Sequence, residues 1–428
     1  MKSVSILGAA TFGAASLFAL LSVSSLALAQ SAAGGGQRVN WPEGPGKDLV
    51  QGICSGCHQV REIERSLGYT REGWNELTSS MVDMKAAPDE HKLVLDYLAQ
   101  NFPPGAKRAA KIIPGPYQID IKAWKSIKLG QRTRDPVEAP DGMIWYIGQW
   151  GNVLGRIDPR TDAVQEWDLP NATFPHSLVI DKAGEVWFLG NGNGTIGKFD
   201  PATGKSTVFK MPLPDARDPH TGEFDQDGVF WFSLQQSDMI GRFDPATNDV
   251  KLVKTKKNAK PYGVKITNDG TPWVACNGSA CMYKVDKKTM ELTEIKLPLP
   301  GTTVRRIDVA EDGRIWYVNS GKGRLGVFDP VTGKMNEWDS PSGPSSHPYG
   351  INVVEGIVWY NESGVRPDVL VRFDPKTERF QSFPIASGNI YAGIHRNGRV
   401  TRDGQSLLIH QSATGYVMKV TPRPPEVR

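Results

Sequence analysis

From about residue 130 onward, short runs of alternating apolar and polar positions follow one another at near-constant spacing, each closed by a turn signal. The stretch Gly228-Val-Phe-Trp-Phe-Ser-Leu-Gln-Gln-Ser-Asp-Met-Ile-Gly-Arg-Phe-Asp-Pro-Ala-Thr247 shows the unit. Aromatic and β-branched residues set between polar ones fit a pleated, half-buried strand. The pattern predicts strand A after Pro219-His220, strand B at 229–234, a polar loop at 235–238, strand C at 239–243 and strand D at 249–254. Asp227-Gly228 and Asp244-Pro245 supply the turns: Gly accepts positive φ, Pro presets φ, and an Asp side chain bonds the turn's own amides. The tryptophans of the copies are Trp145, Trp187, Trp231, Trp273, Trp316 and Trp359, with spacings of 42, 44, 42, 43 and 43 residues. A weaker seventh copy puts Leu407 at the Trp position, after Asp403-Gly404. This period, with four short strands per unit, predicts an all-β seven-bladed propeller over 117–428. The Trp residues read as packing anchors between sheets.

The seventh copy runs out after strand C at 416–420, leaving eight residues that include three prolines. Its outer strand must come from elsewhere. Residues 117–129 precede the first strand A and have the composition of a strand D, so they are expected to complete the last blade and cover its open edge.

In an antiparallel blade, strand A begins and strand B ends at the same mouth of the ring. The residues that open strand A are Arg134, His176, His220, Tyr262, Arg305, Tyr349 and Tyr391. Near the ends of strand B come Gln149, Trp150, Asn191, Gln235, Asn277, Asn319, Glu362 and His410. Convergent polar groups in a concavity make this mouth the candidate binding site; the alternative is that they plug the channel and bond one another. Arg134 and Arg305 favour an anionic ligand, and neutral imidazoles at His176 and His220 are able to ligate a metal or take a proton.

Ahead of the ring the period changes. Leu49, Val50 and Ile53 share one helical face, and Leu93, Val94, Tyr97 and Leu98 form an apolar stripe, which predicts two packed helices. Between them stands Cys54-Ser-Gly-Cys57-His58, the attachment signature of a c-type haem: two thiols for thioether bonds and an adjacent imidazole beneath the iron. A βαβ context for a redox pair is absent, and no second Cys pair for zinc lies nearby in the sequence. Met81, Met84 and His91 are the candidates for the sixth iron ligand. Residues 37–103 resemble a small monohaem cytochrome c domain, and that resemblance, with Trp74 seven residues ahead, favours Met81. A Pro/Gly-rich linker, 104–116, follows, so the chain is expected to be multi-domain, a small all-α cytochrome c domain plus the propeller. Residues 1–29 read as a secretory signal peptide ending Ala27-Leu28-Ala29, implying the periplasm. No later apolar run reaches the length of a membrane span. Lys and Arg number 50 against 46 acidic residues and are scattered, which argues against nucleic acid as a partner. In an oxidising compartment Cys276 and Cys281, either side of the fourth B–C loop, are candidates for a disulfide.

The repeats, of the form Pro-His/Tyr-x-Ile/Val, then Asp-Gly-x-x-Trp-Phe, then Ile-Gly-Arg-Phe-Asp, resemble those of virginiamycin B lyase over 117–428. That family is a seven-bladed propeller that opens a cyclic depsipeptide by elimination with Mg²⁺. The resemblance carries its two Pro-His positions onto His176 and His220. Its Glu position holds Gln235 here, and Glu362 is Glu-like but three blades away. The expected function is therefore a periplasmic c-type cytochrome that transfers electrons, with a propeller binding a small-molecule substrate or redox partner. The alternative is a lyase acting on a cyclic ester.

Overall fold

Each repeat folds into a four-stranded antiparallel sheet, and seven such sheets stand around a common channel in the computed structural model. It describes residues 41–55, 63, 64, 66, 68–105, 109–170, 172–385, 395–412 and 414–425. The strands are numbered β1 to β28 in chain order. The third blade shows the build: β10 (Pro219–Phe224) lies innermost, followed outward by β11 (Phe230–Leu234), β12 (Met239–Asp244) and β13 (Asp249–Lys254). Strands B, C and D agree with the predicted bounds to within a residue, and strand A begins two residues earlier than expected, at Pro219 itself.

Two local devices explain the repeated residues. Asp225 accepts from the amides of Asp227 and Val229 and, through its other oxygen, from Trp231 Nε1 at 2.9 Å. Asp181 holds Trp187 in the same way. The Trp is thus locked to its own turn while it fills the space between sheets. The glycine of Ile-Gly-Arg-Phe lies opposite the aromatic residue after the Trp: Gly241 faces Phe232, and a Cβ on Gly241 would sit 2.2 Å from the ring. Gly155 with Tyr146, Gly197 with Phe188 and Gly326 with Tyr317 repeat the arrangement.

The last blade is closed as expected. β1 (Gln118–Lys125) pairs antiparallel with β28 (Tyr416–Arg423), outside β27 (Leu407–Gln411) and β26 (His395–Val400). Within this blade the register corrects the sequence alignment. Arg399 faces Leu408 as Glu223 faces Trp231, so Leu408 and not Leu407 takes the Trp position; the turn here is one residue longer. Likewise Gln411 ends β27, and His410 stands one place inside it. β26 opens at His395, opposite Gln411 as Pro219 is opposite Leu234, which gives the strand-opening place expected for Tyr391 to Arg396. Tyr391 itself lies outside the described residues. Cys276 and Cys281 are joined by a disulfide between the end of β15 (Pro272–Cys276) and the start of β16 (Cys281–Val285).

Three helices precede the ring among the described residues: α1 (Lys47–Ser55), α2 (Arg71–Met81) and α3 (Pro88–Asn101). Thr70 caps α2 through its hydroxyl, which accepts from Gly73 N at 3.1 Å. Val50, Trp74, Leu77, Val94 and Leu98 bury their side chains together, and Trp74 Nε1 donates to the Phe102 carbonyl at 3.1 Å. None of these helices is long and apolar enough to cross a membrane.

The helices sit on the rim of the mouth where the innermost strands begin. Gly130, in the loop between β1 and β2 (Thr133–Glu138), donates its N–H to the Ser80 carbonyl at 2.8 Å. It has left-handed φ, and a Cβ there would lie 3.0 Å from the Met81 carbonyl oxygen, so only glycine allows this approach. In the B–C loop of blade six, the Arg366 guanidinium lies 5.9 Å from the Tyr69 ring. From there the linker runs down blade six. Ala110 N bonds Arg366 O, Lys111 N bonds Ser342 Oγ, and Ile113 exchanges bonds with Ser382 before the chain enters β1.

Candidate functional site

The innermost strands carry a β-bulge just after their first residues, as at Arg134/Val137, Pro219/Gly222 and Val304/Ile307. A bulge interrupts the alternation of faces, so two successive side chains turn toward the channel. The outer layer holds the residues read from the sequence. The His176 and His220 rings lie 3.5 Å apart by centroid, and the His220 and Tyr262 rings 4.0 Å apart. The Tyr262 and Tyr349 hydroxyls share a short hydrogen bond, and Arg305 lies over both rings, 5.5 and 4.9 Å from their centroids. Arg134 donates from Nη1 to Gln149 Oε1 at 3.0 Å.

The layer beneath was not singled out in the sequence. It comprises Asp135, Ser177, Thr221, Gly263 and Arg306, each one residue after a strand opener. Arg306 of β18 (Val304–Val309) reaches across the channel. It donates from Nη1 to Thr221 Oγ1 at 2.9 Å, passes 5.4 Å from the Tyr262 ring, and has Nη2 3.8 Å from Asp135 Oδ1. The signal available was an Arg-Arg pair opening an innermost strand.

The electrostatics follow from burial. His176 and His220 are held well below the ordinary imidazole value, chiefly by desolvation and then by the guanidiniums of Arg134 and Arg306. Both are neutral at physiological pH. His176 Nδ1 donates to the His220 carbonyl at 2.9 Å, which leaves its Nε2 as an acceptor. Thr221 Oγ1 lies 2.9 Å from His220 Nδ1 and already accepts from Arg306. Burial likewise pushes the Tyr262 phenol upward, so it stays protonated.

Two expected members fall elsewhere. The Glu362 carboxylate accepts from the amide and hydroxyl of Ser342, the same serine that receives the linker at Lys111. It anchors the linker's path and does not join the histidine pair. His410 is fully buried inside β27. The group around His176 and His220 does not suit Mg²⁺, which requires oxygen donors, because guanidiniums and phenols surround the two rings. Among the described residues, no three His, Cys, Asp or Glu side chains converge as a metal set.

No family model matches this chain, and no curated protein sequence does. Its fold is found in solved structures. A streptogramin B lyase superposes with a TM-score of 0.64 at 20% identity, over 71% of this chain and 98% of that one. A catalytically inactive variant of virginiamycin B lyase from Staphylococcus aureus, with quinupristin, gives 0.63 at 21% identity, over 71% and 99%. Hydrazine synthase of Kuenenia stuttgartiensis gives 0.57 at 13% identity, over 70% and 97%. At these identities the likeness is one of fold: the chain is a seven-bladed β-propeller similar in structure to virginiamycin B lyase.

Proposed function

We propose that this protein is an exported, periplasmic c-type cytochrome that transfers electrons, and that its propeller binds a substrate or redox partner at the mouth beside the helical segment. The observation that carries the reading is the contact of Gly130 with Ser80 and Met81, which joins the proposed haem-bearing segment to the rim of the His/Tyr/Arg mouth. A haem in that segment would supply one-electron chemistry. What supports it is that Cys54, Met81 and Met84 all pack on the same apolar cluster as Leu49 and Ile53. Cys57 and His58 lie outside the described residues. Cys54 and Cys57 would hold the group covalently, His58 would be the proximal ligand, and Met81 the sixth, with Met84 as the competing thioether. Export through residues 1–29 brings the chain to the compartment where such attachment takes place.

A lyase reading draws less support. Gln235 stands where a carboxylate proton acceptor would be needed, and Glu362 is committed to Ser342. The deciding experiment is co-expression with a cytochrome c maturation system. Wild type should give haem that resists acid-acetone extraction, Cys57→Ala should lose it, and Met81→Ala should lose the far-red iron–thioether band while Met84→Ala keeps it. Colourless wild-type protein would end the cytochrome reading.

A further inference from the structure

We infer that the propeller channel holds a binding site for a small carboxylate on its axis, built by Arg306 and Arg134 beneath the histidine pair. The inference rests on the reading of this mouth as the binding end, and not on the haem. Arg306 and Arg134 are 6% and 2% exposed, yet Arg306 Nε and Nη2 and Arg134 Nε have no hydrogen-bond acceptor. Native structures rarely bury guanidinium donors in this state. Arg306 Nη2 points toward Asp135 but stops at 3.8 Å, beyond hydrogen-bond reach.

Charge gives a second, independent argument. Among the described residues around the histidine pair, the guanidiniums of Arg132, Arg134, Arg305 and Arg306 outnumber the carboxylate of Asp135, while His176, His220 and Tyr262 are neutral. Further along the same channel the signs balance. Lys265 lies 3.4 Å from Glu223 and 3.2 Å from Asp308, and Arg399 is the neighbouring cation. The positive excess therefore belongs to the mouth and not to the channel in general. Buried charge is tolerated when paired, which calls for an anion of one or two negative charges.

The surroundings set its kind. A forked guanidinium with free Nε and Nη2 presents two parallel donors, the pattern that matches a carboxylate. Ser177 Oγ, buried and without a partner, adds a neutral donor in the same layer. Gly263 leaves space for Arg306: a Cβ there would lie 3.0 Å from Arg306 Cα and 2.7 Å from the Arg305 carbonyl oxygen.

The test is calorimetric titration of the full-length protein with acetate, succinate and sulfate in low-chloride buffer, alongside thermal unfolding at matched ionic strength. Succinate or acetate should bind and raise the melting temperature. Arg306→Met and Arg134→Met should weaken binding about ten- to a hundredfold, the worth of hydrogen bonds to charged groups. Arg314→Met, on an exposed turn, should leave it unchanged. If Arg306→Met fails to fold, Arg306→Lys serves: it keeps the charge, loses the fork and should still weaken carboxylate binding. Binding of sulfate without either carboxylate overturns the carboxylate assignment. Absence of heat and of thermal shift at about 10 mM of every probe, beyond the range of a weak millimolar ligand, overturns the site. Haem content of the same samples is read from the absorption spectrum, so failure of the cytochrome reading is seen separately from failure of the anion site.

Discussion

The buried imidazoles make a quantitative claim on stability against pH. In the folded chain His176 and His220 are held well below their ordinary value, by burial first and by the facing arginines second. In the unfolded chain both return to about 6.5. Below that pH the unfolded state binds protons that the folded state refuses, so stability falls as pH falls. Between about pH 7.5 and 5.5 the pair together accounts for about 3 kcal/mol, roughly half from each imidazole. Asp135, Arg132, Arg134, Arg305, Arg306 and Tyr262 surround the pair, and their contributions are common to wild type and variant. The perturbation is therefore His176→Gln with His220→Gln, and the assay is urea unfolding followed by far-UV circular dichroism at both pH values. Wild type should lose about 3 kcal/mol more than the variant over this range. Equal losses would mean that the folded imidazoles titrate normally, and the account of a neutral, desolvated pair would be wrong.

Three further outcomes follow from the repeat. Gly241→Ala pushes a methyl to 2.2 Å from the Phe232 ring and should destabilise by about 1–3 kcal/mol in chemical denaturation, with Phe232→Leu in the same chain recovering part of the loss. Asp225→Ala leaves the buried Trp231 Nε1 and two turn amides without their acceptor and should cost about 1–3 kcal/mol or more, seen as a lower urea midpoint at unchanged slope. Replacing Cys276 and Cys281 together by serine removes a short loop closure worth about 2 kcal/mol, and reduction should raise the mass of the 276–281 segment by two hydrogens in wild type and leave it unchanged in the variant.

The ring was legible in the sequence because its signals are local: Gly-containing turns in every copy, with a Trp and an Ile/Phe/Val-Asp turn in six of the seven, repeated at a spacing that admits few folds. Even the closing strand followed from a count of strands. The outer layer of the mouth was legible for the same reason, since strand openers share a place in every copy. Arg306, Asp135 and Thr221 were not, because strict alternation would turn the residue after each opener away from the channel. Only the bulge, a backbone event, brings it back. The slip at Leu408 and Gln411 came from a single extra residue in the last A–B turn. Glu362 looked chemical in the sequence because its partner Ser342 serves the linker, and the linker's path is fixed by contacts more than two hundred residues apart in the chain.

The clasp formed by β1 and β28 also determines how the ring responds to force. Gln118 lies opposite Arg423 and Lys125 opposite Tyr416, so the chain enters and leaves the propeller at the same end of one strand pair. Tension between the helical segment and the C-terminus would pull this pair apart one hydrogen bond at a time, a zipper geometry, instead of loading the whole ladder in shear. Once the linker's bonds to blade six have given way, the first bonds of the pair to open would be those between residues 305 positions apart. Opening them would bare the outer edges of β1 and β28 while the other six blades keep their sheets. Under load, then, the weakest seam of the molecule is the one that makes it a closed circle.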